Sequence, residues 1–347
     1  MRHFIIPTLT LSAICLIACS PKNDYQSIEG QTMGTSYHIT FQGGDQDPAI
    51  IQQTIDARLQ AVNQSMSTYM PDSTISKFNR LPSGQNIVID GDFAQVLQNS
   101  QHIYQASQHA FDPTVYPLVE LWGFGSKMNV ERLQAPPSED SIASTKQLVG
   151  LDKVQLSQIG TNYQLQKSVD GVGLDFSAIA KGYAVDVIAN TLKNNYGVVN
   201  YMVEIGGEVA TSGQNAQGKA WTLGIDTPTI DSTIENRQTI TTISQPKDGT
   251  LHIATSGGYR NSLVYNGVRY SHTINPVSGK PVAGNAPSVT VLHDSVALAD
   301  GWATALTAIP YQEALTLANA NQIKAIFVVE NADKSGFDIV KTQALTN

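Results

Sequence analysis

Residues 173–197, GLDFSAIAKGYAVDVIANTLKNNYG, are followed almost at once by residues 199–211, VNYMVEIGGEVAT. In the first stretch apolar residues recur at helical spacing, so we expect a helix that begins near Ser177 and ends at Gly197. The second stretch is rich in β-branched and apolar residues, which is typical of a buried strand. A further strand is expected at 172–176, so the helix is enclosed between strands.

Helices and strands alternate along the rest of the chain without a regular strand–helix–strand rhythm. Further helices are expected at 47–66, 92–107, 295–308 and 311–321, and further strands at 36–41, 153–157, 162–168, 220–226, 238–243, 251–256, 262–265, 287–292 and 324–329. Segments 44–47 and 136–144 resemble linkers, but neither separates two self-sufficient halves. The pattern favours an α+β fold. We expect one two-lobed domain over residues 31–342, with mixed or antiparallel sheets and flanking helices.

The first residues have the pattern of an export signal. A short positive start precedes a mostly apolar run at 4–18, which is shorter than the roughly 20 residues that span a bilayer. The string LIAC at 16–19 resembles a bacterial lipobox, whose cysteine is acylated and becomes the new N-terminus. We therefore expect a signal peptide at 1–18, a lipidated Cys19 and a tether at 19–30. The protein would then be anchored on the periplasmic side of the cell envelope, with the choice of membrane left open.

The composition excludes several classes of function. The chain of 347 residues is 41% hydrophobic and carries a net charge of −8, which is typical of a globular protein. An acidic chain without a cluster of Lys and Arg is not expected to bind nucleic acid. Cys15 and Cys19 are the only cysteines and lie in the leader, so neither a disulfide nor a cysteine nucleophile is expected in the mature body.

Lys181 lies in the opening turn of the helix that begins near Ser177, where the helix dipole slightly disfavours a cation. One interpretation is that its ammonium group extends into water. Helix N-termini also bind anions, and a phosphate bound there would reconcile the lysine with the dipole. Because Asp175 and Ser177 flank the position, we favour a phosphate site over the purely structural interpretation.

Asp300 stands in the middle of an almost entirely apolar helix, SVALADGWATALTAI at 295–309. A buried carboxylate needs a hydrogen-bonded or metal partner. Thr304 follows one turn later on the same face, and two oxygen ligands at this spacing suit a hard cation such as Mg²⁺. An internal hydrogen bond to Asp300 from Thr304 or from a loop amide explains the residue equally well, and the sequence does not separate the two.

Two further segments carry polar groups of interest. His272 lies before an Asn-Pro turn, where a lone histidine is usually structural, but beside a phosphate it would be a suitable proton acceptor. The string TSGGYR at 255–260 has paired glycines whose amides can face an anion, although a hairpin turn is the simpler interpretation. Gly206 and Gly207, between two glutamates, fit a β-bulge.

Taken together, eight strings resemble the ApbE family, the FAD:protein FMN transferases. They are MGTSYHIT from Met33, MSTYMPDSTISKFN from Met66, AFDPTVYPLVELWGFG from Ala110, GLDFSAIAKGYAVD from Gly173, VEIGGEV from Val203, ATSGGYRNS from Ala254, YSHTINPVSGKP from Tyr270 and ALADGWATAL from Ala297. They occur in the family's order and cover nearly the whole chain from residue 31 onward.

The resemblance implies a set of site residues. Those implied to contact FAD are Met33, Ala110, Phe111, Asp112, Asp175 and Lys181, to which we add Ser256, Gly257 and His272. The implied Mg²⁺ ligands are the carbonyls of Ala178 and Ala297 and the side chains of Asp300 and Thr304. His272 matches the histidine credited with helping the acceptor hydroxyl lose its proton, so the expected catalytic set is His272, Lys181 and Asp300. The chain departs from the family at Asn275, where Asp is common, and at Trp302, where a smaller residue is usual.

The resemblance also implies the reaction. We expect Mg²⁺-dependent transfer of FMN from FAD to a Thr or Ser hydroxyl of a target protein, with release of AMP. The expected acceptor is a subunit of a membrane redox complex of the sodium-pumping NADH:quinone reductase or Rnf type. The alternatives are an FAD pyrophosphatase, with water as the acceptor, and a non-enzymatic lipoprotein that stores FAD.

Overall fold

The structure is a computed structural model that describes residues 25–44, 46–125, 136–229, 236–247, 249–258, 262–265, 268–282 and 288–346. The expected signal peptide and Cys19 lie outside the described residues. Within them, no helix is both long enough and apolar enough to cross a membrane.

Helices and antiparallel strands are interleaved along the chain, as expected for an α+β fold. The strands are β1 (Tyr25–Thr32), β2 (Thr35–Gln42), β3 (Asn86–Ile89), β4 (Val154–Ile159), β5 (Asn162–Lys167), β6 (Asn200–Ile205), β7 (Glu208–Ser212), β8 (Thr222–Asp226), β9 (Thr239–Ser244), β10 (Thr250–Ser256), β11 (Ser262–Tyr265), β12 (Val268–Ser271), β13 (Ile274–Asn275), β14 (Lys280–Pro281), β15 (Ser288–Leu292), β16 (Lys324–Glu330) and β17 (Phe337–Lys341). The helices are α1 (Pro48–Met66), α2 (Thr74–Arg80), α3 (Gly91–Ala106), α4 (Tyr116–Trp122), α5 (Glu139–Lys146), α6 (Ala180–Tyr196), α7 (Val296–Thr307), α8 (Tyr311–Ala320) and α9 (Gln343–Thr346).

An eight-stranded antiparallel sheet organises the described part of the chain, in the order β1-β2-β6-β7-β10-β15-β16-β17. Successive residues of its strands point to opposite faces. Val203, Ala210 and Ala254 belong to the main core, which also contains the buried faces of α1, α3, α6 and α7. Their neighbours on the strands pack with the β8–β9 hairpin in a smaller cluster on the other face. The main-core face of the sheet therefore packs against α6 and α7.

A second, smaller core supports the expectation of two lobes within one domain. Leu118, Trp122, Ile142 and Ile274 form this cluster, which joins α4 and α5 to the β13 region. The indole of Trp122 donates a hydrogen bond of 2.8 Å to the carbonyl of Gly279 in the same region. Trp302, one of the departures from the family pattern, is buried in the main core instead.

The strand expected at 172–176 is wrong, because other groups take the backbone hydrogen bonds that a strand would need. The carboxamide of Asn79 accepts from the amide of Leu174 at 2.7 Å and donates to its carbonyl at 2.9 Å. The amide of Asp175 donates to the carbonyl of Pro113 at 2.8 Å. The helix consequently begins at Ala180, later than expected.

The strand expected at 199–211 is a hairpin. Ile205 pairs with Glu208, so Gly206 and Gly207 form a two-residue turn, and both have positive φ, 60° and 100°. Positive φ at both central residues is the requirement of the tight turns that suit a twisted hairpin, and glycine meets it without strain. The β-bulge interpretation of this glycine pair is therefore wrong.

The tether expected over 19–30 is also wrong from Tyr25 onward. Residues 25–32 form β1, which pairs with β2 along its whole length. β1 is an edge strand with several polar residues, and only Ile28 and Thr32 are buried. The weak apolar alternation of an exposed edge strand explains why the sequence did not reveal it.

Candidate active site

The site is built where α6 crosses α7. Gly182 is required at this crossing, because a Cβ there would overlap the backbone carbonyl of Val296 and approach the Cβ of Asp300 to 2.8 Å. The close approach lets the amide of Gly182 donate to Asp300 Oδ2 at 3.0 Å. Asp300 is only 4% exposed. A glycine on one helix therefore fixes the buried carboxylate of the other. Asp300 has an internal hydrogen bond, but its donor is an amide of α6 and not the Thr304 hydroxyl or loop amide expected from the sequence.

Asp186, one turn further along α6, fixes the beginning of α7. Its carboxylate accepts from the hydroxyl of Ser295 at 2.7 Å, from the amide of Val296 at 2.9 Å and from the amide of Ala297 at 3.0 Å. The first amides of a helix lack partners within the helix, and a carboxylate there also complements the helix dipole. Ala297 and Asp300 are thus held in place relative to α6.

Lys181 enters the site beside Gly182. Its ammonium group donates a hydrogen bond to Oε1 of Glu208, the first residue of β7. The side chain of Lys181 is 30% exposed, whereas that of Glu208 is 3% exposed. The lysine therefore connects a buried carboxylate with the open side of the site.

The charges of this cluster do not cancel within it. Burial alone would lower the pKa of Lys181, but the carboxylates of Asp300 and Glu208 raise it. Burial raises the pKa of Glu208 to about 7, although the ammonium of Lys181 opposes that change. Burial likewise raises the pKa of Asp300, again opposed by Lys181. With one ammonium beside two carboxyl groups, the cluster favours a further positive charge, either a proton or a bound cation.

The expected Mg²⁺ ligands fit such a cation in chemistry. Asp300 offers a carboxylate and half-buried Thr304 a hydroxyl one turn later on α7, and the other two expected ligands, the backbone carbonyls of Ala178 and Ala297, are also hard oxygen donors. Their binding of Mg²⁺ remains a prediction. Among the described residues, no group of three or more His, Cys, Asp or Glu side chains is placed to bind a metal. A cation here would thus depend on Asp300 together with neutral oxygens.

Two of the residues expected to contact FAD, Asp175 and Asp112, lie on segments that are hydrogen-bonded to one another. Asp175 is tied to Pro113 through its amide, and its Oδ1 accepts from the amide of Ser177 at 2.8 Å. Asp112 is buried, and its Oδ1 accepts from the amide and the hydroxyl of Thr114 at 2.8 and 2.6 Å. Burial raises the pKa of Asp112. Both carboxylates therefore have structural partners, and their contact with FAD remains a prediction.

Ala110 and Phe111 lie directly before Asp112 and are both buried in the main core. A Cβ added at Gly301 of α7 would lie 3.6 Å from the ring of Phe111. The segment 110–112 is thus packed beside the helix that carries Asp300.

Met33 occupies the turn between β1 and β2 with a φ of 50°, which is unusual for a residue other than glycine. This turn lies beside the Gly206–Gly207 turn, where the amide of Gly206 donates to the carbonyl of Ser36 at 3.2 Å. Strained backbone of this kind is concentrated at binding sites. The position is therefore consistent with the contact to FAD expected of Met33, which remains a prediction.

The end of β10 links α7 to the segment that carries His272. The hydroxyl of Ser256 lies 3.0 Å from that of Thr307, which follows Thr304 on α7. A Cβ added at Gly258, one residue after Gly257, would lie 2.8 Å from the hydroxyl of Ser271, the neighbour of His272. Tyr259 and Arg260 of the same string lie outside the described residues, so the hairpin interpretation there is not tested.

Asn275 has a structural role that needs no charge. Its Oδ1 accepts from the amides of Val277 and Ser278 at 2.8 and 3.0 Å, which closes the turn after β13. Such turns are typical of Asn and Asp alike. The departure from the family's Asp is accommodated without a new partner.

Sequence reasoning missed Glu208, Gly182 and Asp186 as parts of the site. The signal for Glu208 was available, since it is an acid at the start of the otherwise apolar and small segment EVAT. Gly182 and Asp186 gave no comparable signal, because their importance depends on the packing of α6 against α7.

Comparisons with known proteins agree on one family. The ApbE family matches residues 33–327. A protein of Vibrio cholerae serotype O1, named FAD:protein FMN transferase, is 35% identical over 96% of this chain and 95% of its own length. The Haemophilus influenzae protein of the same name is 36% identical over 94% of this chain and 92% of its own length. Among solved structures, the flavin transferase ApbE from Vibrio cholerae superposes with a TM-score of 0.79 at 34% identity, covering 93% of this chain and 98% of that chain. The apo form of Pseudomonas stutzeri flavinyl transferase ApbE gives 0.80 at 33% identity, covering 92% and 95%.

Proposed function

The chain belongs to the ApbE family, and on that basis we propose that it transfers FMN from FAD to a hydroxyl side chain of a target protein, with release of AMP. One observation carries the proposal. A buried cluster of one ammonium and two carboxylates, Lys181, Glu208 and Asp300, is fixed at the α6–α7 crossing and opens to solvent through the lysine. Such a cluster suits a substrate that brings both phosphate groups and a divalent cation.

In the proposed reaction the acceptor oxygen attacks the phosphorus of the FMN moiety. An oxygen–phosphorus bond forms, the bond from that phosphorus to the oxygen of AMP breaks, and AMP leaves with the electron pair. His272 takes the proton of the attacking hydroxyl, since an imidazole has a pKa near neutrality. The ammonium of Lys181 binds the diphosphate and offsets its charge, and positioning of this kind carries most of a phosphoryl transfer.

Mg²⁺, when bound, would be held by Asp300, Thr304 and the carbonyls of Ala178 and Ala297, and it supplies further neutralisation of phosphoryl charge. Asp300 contributes a fixed anionic oxygen, because its carboxylate is anchored by the amide of Gly182.

The test is a direct assay of flavin transfer. The protein is incubated with FAD, Mg²⁺ and a threonine-bearing acceptor protein, and covalent flavin is read by in-gel fluorescence. We expect a fluorescent acceptor band that is lost with Asp300→Ala and with His272→Ala. Matched controls are Asp333→Ala and His102→Ala, which replace exposed residues outside the cluster. No band with the unmodified chain, or an unchanged band with the first two variants, contradicts the proposal.

The same assay separates the two alternatives. AMP released at equal rates with and without acceptor protein would indicate a pyrophosphatase. FAD that binds without any AMP release, and stays bound after chelation of divalent ions, would indicate a storage protein.

The proposal includes a location and a class of acceptor. The apolar run at 4–18 and the lipobox at 16–19 support a lipid anchor on Cys19 and an envelope location on the periplasmic side. The acceptor would then be a subunit of a membrane redox complex of the NADH:quinone reductase or Rnf type. Incorporation of labelled palmitate that is lost with Cys19→Ala tests the anchor. Mass spectrometry of flavinylated peptides, compared between a deletion strain and its parent, tests the acceptor.

A further inference from the structure

Glu208 has a carboxylate oxygen that the fold does not use. Oε1 accepts from the ammonium of Lys181, but Oε2 is buried and has no hydrogen-bond partner among the described residues. The other buried side-chain atoms in this situation, in the described part of the chain, belong to the neutral groups of Gln26, Ser65 and Ser100. An unsatisfied carboxylate oxygen costs far more free energy than an unsatisfied neutral oxygen. Burial of Oε2 therefore destabilises the fold, and no hydrogen bond within the described residues offsets that cost.

The location of Glu208 indicates which ligand group could donate a hydrogen bond to Oε2. It begins β7, directly after the Gly206–Gly207 turn, and this turn adjoins the Met33 turn. Its partner Lys181 is the group assigned to the diphosphate of FAD. A carboxylate oxygen beside a diphosphate repels the phosphate oxygens, so it requires a donor. FAD has hydroxyl donors on either side of its diphosphate, on the ribityl chain and on the ribose.

We propose that Glu208 is a positioning residue that bridges the two: Oε1 fixes the Lys181 ammonium, and Oε2 accepts a hydrogen bond from a sugar hydroxyl of the bound dinucleotide. This inference rests on the proposed function, because it takes FAD as the ligand. It adds a residue and a contact to the site. Its role is to set where the diphosphate lies relative to the ammonium.

Replacement of Glu208 by Gln tests the bridge, because the bridge and simple charge repulsion predict opposite changes in FAD affinity. If the carboxylate only repelled the diphosphate, Glu208→Gln would tighten FAD binding. In the proposed bridge the Gln oxygen must stay on the ammonium, so its NH₂ group faces the sugar hydroxyl. The charge-assisted bond from the hydroxyl to the carboxylate is then replaced by a weaker neutral bond in which the hydroxyl oxygen accepts. We expect FAD affinity to fall by about fivefold, the difference between a hydrogen bond to a charged group and one between neutral groups.

The double variant tests whether Glu208 acts together with Lys181. Without the ammonium, as in Lys181→Met, the Gln oxygen is free to turn toward the ligand, so Glu208→Gln should then cost about twofold or less. FAD binding is followed by flavin fluorescence without acceptor protein, for the unmodified chain, both single variants and the double variant. Glu204→Gln serves as the matched control, since it removes a charge from the same hairpin where the carboxylate binds the Gly207 amide and His38.

FMN and ADP, titrated separately, show which sugar supplies the hydroxyl. Weaker binding of FMN by Glu208→Gln assigns the contact to the ribityl chain, and weaker binding of ADP assigns it to the ribose. Unchanged or tighter binding of FAD, or equal effects of Glu208→Gln with and without Lys181, overturns the inference while the proposed function stands. If the unmodified chain binds no FAD at all, the proposed function itself fails.

Discussion

Two lysines among the described residues, Lys167 and Lys181, have surroundings that differ completely. Lys167 is 1% exposed, and its ammonium donates to the carbonyls of Phe78, Asn79 and Val172 at 3.1, 3.0 and 2.7 Å. It also lies 5.1 Å from the centre of the Phe78 ring. Burial lowers the pKa of Lys167. Lys181 instead lies among carboxylates that raise its pKa.

The difference lies in how the hydrogen-bonding groups are matched. The three N–H groups of Lys167 meet three carbonyls of the protein, so the group is satisfied by the fold alone. Around Lys181 the match is incomplete, because the ammonium donates to Oε1 of Glu208 while the buried Oε2 of the same carboxylate has no partner among the described residues. A matched set indicates a structural lysine, and an unmatched set indicates a binding site. Four predictions test this distinction.

Replacement of Lys181 by Met should give the largest effect and should affect chemistry. We expect flavin transfer to fall by about 100- to 1000-fold, the usual cost of removing a group that stabilises transition-state charge. The initial rate of acceptor flavinylation measures this, with thermal melting recorded in parallel. Lys193→Met is the control, on the exposed face of the same helix. A loss of tenfold or less in the transfer rate, or a chain that fails to fold, would indicate that Lys181 has a structural role like that of Lys167.

Replacement of Lys167 by Met should affect stability. The substitution leaves buried carbonyls without donors, so we expect a loss of about 3 kcal/mol or more in the free energy of unfolding. The melting temperature should fall by roughly 4–5 °C, since the unfolding entropy grows with chain length. Activity per folded molecule should stay within a few-fold. Lys324→Met, at an exposed strand position, is the control. A stable but inactive variant would contradict a structural role.

The free energy of unfolding should depend on pH through Glu208, the carboxyl group that binds Lys181. The pKa of Glu208 is raised from 4.5 to about 7, so the folded protein holds a proton that the unfolded chain releases. Stability contributed by this group is therefore present below pH 4.5 and is lost as the pH rises toward about 7. Glu208→Gln lacks this loss, so its stability relative to the unmodified chain should rise by roughly 2–3 kcal/mol between about pH 5 and about pH 8. Denaturant titrations that give parallel pH profiles for both proteins would show that Glu208 keeps an ordinary pKa.

Replacement of Asn79 by Ala should give the smallest effect. Its carboxamide holds both backbone groups of Leu174, next to the carbonyl of Val172 that Lys167 binds. We expect a loss of about 1–2 kcal/mol in the free energy of unfolding, measured by denaturant titration. Asn190→Ala, on the exposed side of α6, should cost nothing measurable. If Asn79→Ala abolishes flavin transfer without unfolding the chain, the Lys167 region belongs to the site after all.

The sequence predicted the fold where periodicity was strong and failed where tertiary contacts replaced it. Helices α1, α3, α7 and α8 were predicted to within about two residues, because their apolar spacing is regular. The segment 172–176 has the composition of a strand, but Asn79 and Lys167 occupy its backbone groups. No local pattern indicates Asn79 as a partner, since it lies 95 residues from Leu174 in the chain.

The sequence predicted the charged residues Lys181 and Asp300 of the candidate site, but it did not predict the residues that hold them in place. Lys181 and Asp300 were conspicuous because each stands where its charge is locally disfavoured. Their contacts with Glu208 and Gly182 arise only when β7 and α7 are brought against α6. Resemblance supplied the rest of the residue set, and the contacts of those residues with FAD await the experiments above.

Asp186 grips the first amides of α7 from a position one turn beyond Gly182, so α6 holds its neighbour at two points. Two attachments along one helix prevent α7 from sliding or pivoting independently. The oxygen atoms of Ala297 and Asp300 should then move together with Lys181 as one rigid body. We therefore expect any adjustment to an acceptor protein to occur in the loops around these two helices, while the helices keep their relative position.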